Sequence, residues 1–300
     1  MDSSHLQRIT SSNRKRKAED TVMVISKRTK FNTTYRRQNF SVPDSVIFYV
    51  AKNPKTAELY LKMVKTCKYF FVKNPIIIVP NLYASGGKWS SDHLPLNLTK
   101  YNCKYWITNR IYASNRGLVN RNIFSPVIPK LYRCDVKHLS LFHQIIYFDD
   151  LSLLISSAER IRFFDVVVKH ADSSDVPLED IVAVATKAKE ISADKPTITP
   201  KTMKELTKLP NFTKLDYFAL HDPSEVFNID EFYGYMKKNF HTQFLLSYDE
   251  QISDAFKNRL ETIIDEILET QQFSYKPPVI RFSGLDIQKY RKLYRIHFSH

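Results

Sequence analysis

Short apolar runs return along the second half of the chain, and between them lie stretches of helical periodicity. That alternation constrains the fold more than any other feature of the sequence. The runs are Val136-x-x-Leu139-x-Leu141, Ile161-x-Phe163-x-x-Val166-x-Val168, Ile191, Leu215-x-x-Phe218-x-Leu220, Phe244-Leu245-Leu246 and Val279-Ile280-x-Phe282. Each is short and rich in β-branched, aromatic or leucine side chains, so each reads as a strand. Amphipathic segments separate them at Asp150 to Arg160, Leu178 to Lys189, Pro200 to Leu209, Ile229 to Asn239 and Asp254 to Gln271. Helix signals support these segments. Pro177, Glu179 and Asp180 open the second, an Asn228-x-x-Glu231 capping pattern opens the fourth, and the fifth carries Phe256, Leu260, Ile263, Ile264, Ile267 and Leu268 on one face. Six strands alternating with five helices place the chain in the α/β class.

Each strand–helix unit spans about 25 to 35 residues and has to stack on its neighbour to hide its apolar side. This favours an irregular leucine-rich-repeat-like β/α solenoid over residues 134–300, with a compact doubly wound sheet as the competing arrangement. Upstream, residues 81–133 read as a mixed β connector that covers the open end of that domain. Gly86-Gly87-Lys88-Trp89 forms a turn there, and Tyr101 to Ile107 and Arg110 to Ala113 form strands, punctuated by Ser, Asn and Pro.

Charge divides the chain differently. Of the net +14, residues 1–40 carry +7, residues 41–140 carry +11 and residues 141–300 carry −4. The basic first half calls for an acidic partner, either nucleic acid or an acidic protein surface. Residues 1–40 hold too few apolar side chains to offset the entropy of ordering and read as a disordered basic tail. Within that tail Arg14, Lys15, Arg16 and Lys17 form one basic cluster and Lys27, Arg28 and Lys30 a second, the layout of a bipartite nuclear import signal. Cys67, Cys103 and Cys134 have no short paired spacing, which implies no disulfide framework, and no stretch has the apolar length to span a bilayer. Nucleus or cytoplasm is the expected location.

Residues 41–80 have a distinct texture. Ser41-Val42-Pro43-Asp44 opens a helix in which Val46, Ile47 and Val50 form an apolar stripe, and Asn53-Pro54 closes it. Leu59, Tyr60 and Met63 mark a second helix, and Val64, Cys67, Phe70 and Phe71 a third segment, interrupted at Lys73-Asn74-Pro75 before the strand Ile76 to Val79. A module this small cannot bury all of these side chains within itself, so part of its surface packs on the rest of the chain or on a partner.

The opening Val42-Pro43-Asp44, the pair Val46-Ile47, the central Tyr60-Leu61 and Val64-x-x-Cys67-Lys68-x-Phe70 resemble an F-box. This is the helical motif by which substrate adaptors dock on the Skp1 subunit of cullin-based ubiquitin ligases. The last element is similar to the motif's closing Val-x-x-Cys-Lys-x-Trp, with Phe70 in place of Trp, and the opening has Val-Pro where Leu-Pro is usual. Residues 41 to 78 carry the likeness, about an eighth of the chain. More broadly, Cys67 to Pro75 followed by β/α units resembles the F-box-like families expanded in nematodes. The resemblance implies a Skp1-like partner docked through Val42, Pro43, Val46, Tyr60, Cys67 and Phe70, and a downstream domain that recruits a protein substrate.

The expected function is therefore that of a non-catalytic adaptor with no cofactor. The chain has only five glycines, and Gly86-Gly87-Lys88 lacks the longer loop and following Ser/Thr of a phosphate cradle. Cys134, His138 and His143 lack a fourth ligand at zinc spacing, so no metal is expected. Asp149-Asp150 and Asp265-Glu266 are accounted for by helix starts and solvated faces. The alternative is a nuclear nucleic-acid-binding or chromatin-associated factor that uses the basic first half. Its support is the mixing of aromatic and basic residues at Lys68-Tyr69-Phe70-Phe71-x-Lys73 and Lys100-Tyr101-x-x-Lys104-Tyr105-Trp106.

Overall fold

A computed structural model describes residues 39–299 apart from 93, 99, 117–121 and 250. The basic clusters at 14–17 and 27–30 lie outside the described residues. Three helices come first, α1 (Asp44–Lys52), α2 (Ala57–Thr66) and α3 (Lys68–Lys73). Five strands follow: β1 (Ile76–Ser85), β2 (Lys88–Ser91), β3 (Leu94–Pro95), β4 (Lys104–Ser114) and β5 (Leu131–Cys134). Strands and helices then alternate as β6 (His138–Tyr147), α4 (Phe148–Ile155), β7 (Arg160–Lys169), α5 (Leu178–Val184), β8 (Glu190–Asp194) and α6 (Thr202–Leu206). The chain ends with β9 (Tyr217–His221), α7 (Ile229–Met236), β10 (Gln243–Tyr248), α8 (Asp254–Glu269), β11 (Val279–Phe282) and α9 (Ile287–Ser299).

All the strands belong to one mixed but mostly parallel sheet in the order β11-β10-β9-β8-β7-β6-β4-β1-β2-β3. Among the described strands only β2 and β3 run antiparallel to their neighbours in the order. β5 and β6 take successive parts of one edge of β4, at Tyr105 to Ile107 and at Arg110 to Ser114. The expected boundary at residue 134 is thus no break in the sheet. Residues 81–133 are not a connector laid over an end but part of the sheet itself, because β4 pairs in register with both β1 and β6. At Gly86 and Gly87 φ is +54° and +75°, which lets the two-residue turn between β1 and β2 follow the twist of its strands.

Alternation along each strand gives the sheet two unlike faces. One buried row runs Leu82, Ile111, Leu139, Ile161, Ile191, Phe218 and Phe244 at matched positions across seven strands. A second runs Ala84, Ala113, Leu141, Phe163, Ala193, Leu220, Leu246 and Ile280. Both rows lie in one core with Leu151 and Leu154 of α4, Val182 of α5, Leu206 of α6, Phe232 and Met236 of α7 and Ile264 and Ile267 of α8. Each large side chain in these rows contributes about 1.5–3 kcal/mol by leaving water.

A left-handed residue recurs at one height of the sheet, inside β6 and β7 and just after the last residue of β8 and β9. His143, Asp165, Lys195 and Asp222 have φ of 52°, 50°, 48° and 45°, and each directly follows the same rung of its strand, Phe142, Phe164, Asp194 or His221. Contacts with the next strand hold this left-handed conformation. Asp165 N donates to Asp194 Oδ2 (3.2 Å), Lys195 N to the His221 carbonyl (2.8 Å) and Asp222 N to the Ser247 carbonyl (2.7 Å). The helices are shorter than their periodicity suggests. In α5, which stops at Val184, the Asn211 amide donates to the carbonyls of Val182 (2.6 Å) and Ala185 (3.1 Å) and closes the helix end.

Helix α9 was not anticipated, although Asp286 supplies a start signal, its Oδ1 accepting from the backbone N–H of Gln288 and Lys289 (both 2.9 Å). Leu293 and His297 anchor the helix, and His297 Nδ1–H donates to the Pro277 carbonyl (2.6 Å).

The helical module is tied to the sheet by one tyrosine. The Tyr60 hydroxyl donates to the Asn74 carbonyl (2.6 Å) and accepts from Ile76 N–H (3.1 Å), while the Asn74 amide donates to the carbonyl of Ala51 (3.0 Å). Burial pushes the Tyr60 phenol up to about 12, so the proton that bonds Asn74 is always present at neutral pH. The ring packs with Ile76 and Trp106, and the indole N–H donates to Asp135 (2.8 Å).

Tyr60→Phe strands a buried N–H and a buried carbonyl and should cost about 2 kcal/mol, read as a fall in the urea midpoint; an unchanged midpoint would contradict this role. His297 yields a pH prediction. Burial holds its imidazole below the ordinary value, outweighing the hydrogen bond to Pro277, so the unfolded chain binds the proton more readily. Its contribution is complete above the ordinary value of about 6.5 and is lost as pH falls through the lower folded value. The melting temperature should drop on acidification, with a shallower slope in His297→Gln; an identical slope in the variant would contradict this.

Candidate docking surfaces

The six residues of the F-box-like resemblance divide into two groups. Val42, Pro43 and Val46 are exposed, Val46 at 48%. Tyr60 and Phe70 are buried, at 1% and 9%, and do not lie on a docking face. Tyr60 makes the junction described above, and Phe70 fills the space between helices with Ala51 and Met63. Half-buried Cys67 closes α2 and starts α3, its Sγ accepting from Tyr69 N–H at 3.4 Å. The expected set thus mixed supports with surface, because apolar residue types alone do not distinguish the inner side of so small a module from its outer side.

The outer face is continuous on α1. Val46, Tyr49 and Val50 recur at the i, i+3, i+4 spacing of one helical stripe, Val42 lies just before the helix, and all four are exposed, Tyr49 at 68%. Ile47 and Ala51, on the opposite side, pack into the module with Met63 and Phe70. A helix that is apolar on both sides has one side more than its own fold uses. Leu61 of α2 adds a further exposed apolar side chain. The sequence pattern does not single out Tyr49, although its i, i+3 spacing from Val46 carries the signal.

A second surface is the face of the sheet opposite the core. One row there reads Asn81, Arg110, His138, Arg160, Glu190, Tyr217 and Gln243. The next reads Tyr83, Tyr112, Ser140, Arg162, Ser192 and Ala219. Aromatic rings cross the strands, with centroids 6.4 Å apart for Tyr83 and Tyr112, 4.9 Å for Tyr112 and Phe142 and 6.3 Å for Phe142 and Phe164. Burial first, and then the Arg110 and Arg160 guanidinium groups on either side, push the His138 imidazole below its ordinary value.

Other expected and unexpected groupings are quickly placed. Cys134 is buried with its thiol directed to the Leu154 carbonyl (3.7 Å), and burial pushes it up to about 12, so it supplies no thiolate at neutral pH. His143 Nδ1 lies 3.1 Å from Asp165 Oδ2. Among the described residues no group of three or more His, Cys, Asp or Glu is placed to hold a metal ion. Asp194, His221 and Ser247 stand side by side on β8, β9 and β10, with His221 Nδ1 2.8 Å from Ser247 Oγ. The carboxylate of Asp194 accepts from Asp165 N–H and does not orient the imidazole, as a hydrolytic triad requires. No described helix is long and apolar enough to cross a membrane. No protein-family model matches the chain, and neither does any curated protein or solved structure.

The two kinds of module residue should respond differently to substitution. Phe70→Ala empties buried volume and should cost about 3 kcal/mol or more. Val46→Asp and Tyr49→Ser should change stability by no more than about 0.5 kcal/mol. Denaturant unfolding of the three variants checks this, and equal losses would show that α1 is covered.

Proposed function

We propose that the chain is a non-catalytic adaptor whose helical module docks a Skp1-like subunit of a cullin-based ubiquitin ligase while the sheet presents a protein substrate. The observation that carries this reading is the exposed stripe Val46, Tyr49 and Val50 on α1, with exposed Val42 just before the helix. Desolvating such a stripe favours association, and its aromatic member is of the type that dominates interface energies. The module's interior is already closed by Phe70, Met63 and Ala51, so the outer stripe is left for a partner. The likeness of residues 41 to 78 to an F-box names the class of that partner. With Tyr60 and Phe70 inside the module, contact falls to Val42, Pro43, Val46 and Tyr49.

We further read the strand succession as a leucine-rich-repeat-like stack. Its support is the order of neighbouring parallel strands from β6 to β11 and the left-handed residue that recurs on four of them. An adaptor of this kind works by raising the local concentration of substrate beside an enzyme that supplies the chemistry.

Capture of the full-length chain by purified Skp1 tests the docking claim. Wild type should be retained, and Val46→Asp combined with Tyr49→Ser should lose at least about tenfold in affinity, the loss of about 1.4 kcal/mol or more, while keeping its circular dichroism spectrum. Absence of capture by wild type, or capture unaffected by the paired substitution, would overturn it.

A further inference from the structure

The open face of the sheet differs from an ordinary solvated face in two respects. Tyr112 and Phe164 stand exposed at 40% and 49%, within a line of touching rings that runs from β1 to β7. Beside that line the cations exceed the anions. Arg160 is paired with Glu190 (2.9 Å), but among the described residues Arg110 and Arg162 enter no ion pair. Both are exposed, and they point from the same face as the rings, since Ile111 and Phe163 next to them in sequence are buried.

We propose that this face, over β1, β4, β6 and β7, binds an extended acidic peptide segment that also carries an aromatic or aliphatic side chain. The occupant follows from complementarity. Arg110 and Arg162 offer planar, multidentate donors to carboxylates, and the rings between and beside them offer apolar area for a side chain. At about 4.8 Å between strands, the span from β1 to β8 is about 19 Å, the length of about six extended residues. The far end of the span turns acidic at Glu190, on the Arg160 row. A peptide can place a neutral or basic residue there. A nucleic-acid strand carries one phosphate per nucleotide along its whole length and would meet that carboxylate. The rings also pack against one another, so they offer bases outward edges more than separate stacking platforms.

This deepens the adaptor reading and rests on it only in taking the bound segment to belong to a substrate. The experiment uses the full-length chain and fluorescein-labelled peptides of about ten residues, one alternating Glu with Leu and Tyr, a second with Lys replacing every Glu, and a labelled oligouridylate. Anisotropy should show binding of the acidic peptide and a loss of at least about tenfold in Arg162→Glu and in Tyr112→Ala combined with Phe164→Ala, the melting temperature being unchanged. Val46→Asp should leave peptide affinity as in wild type, which separates this face from the Skp1 test. Acidic-peptide binding without Skp1 capture would support this proposal and defeat only the adaptor reading. Equal affinity for the Lys peptide, tighter binding of the oligouridylate, no binding of the acidic peptide, or variants that bind like wild type would each overturn the proposal.

Discussion

Ile161 on β7 sits level with Leu139 on β6 and Ile191 on β8, and this lateral contact of apolar side chains at one height is repeated from β1 to β10. The rest of the structure depends on it. A slip of one residue on any strand would turn its buried pair outward and bring the intervening polar residues into the core; on β7 that would replace Ile161 and Phe163 by Arg160 and Arg162. Because α4 to α8 seal one side of the sheet and the helical module covers the other only at the start of β1 and β4, around Ile76 and Trp106, the rest of that side is spared for polar and aromatic residues whose positions are fixed as firmly as those of the core. The open face owes its geometry to the packing behind it.

The helical module inherits that rigidity through a narrow junction. Tyr60 joins α2 to the start of β1, Asn74 returns to the end of α1, and the Tyr132 hydroxyl reaches the Lys52 carbonyl (3.1 Å). Arg133 stacks over Trp106 at 5.2 Å, bonds Asp135 and donates to the Lys55 carbonyl (3.2 Å). These contacts use the inner sides of the helices. The outer stripe on α1 is left facing away from the core, so the two proposed docking surfaces, α1 and the open sheet face, do not compete for the same side chains.

Much of this was legible in the sequence, for identifiable reasons. The runs around Leu139, Ile161, Phe218, Phe244 and Ile280 gave their strands away because alternation and β-branched composition coincide in them. Capping residues were equally informative, as at Asn228, whose side chain accepts from Glu231 N–H (3.1 Å). What could not be read was long-range pairing. Nothing local to Tyr105 or Ile111 tells that β4 lies between β1 and β6, and so residues 81–133 looked like a connector. The sidedness of the module was hidden for a related reason, since Tyr60 and Val46 are both apolar and only the docking of α2 on β1 decides which is inside. The open-face rows were the least visible part of the site. Arg110, Tyr112, Arg162 and Phe164 are far apart in sequence and become neighbours only through strand register.

The central claim is that recognition is divided between the outer stripe of α1 and a separate sheet face. Amide hydrogen exchange of the full-length chain with and without purified Skp1 tests it most directly, by locating the protection that binding confers. Slower exchange confined to residues 42–66, with β4, β6 and β7 unchanged, is the predicted result. Protection of the sheet strands in place of α1, or of neither region, would contradict it.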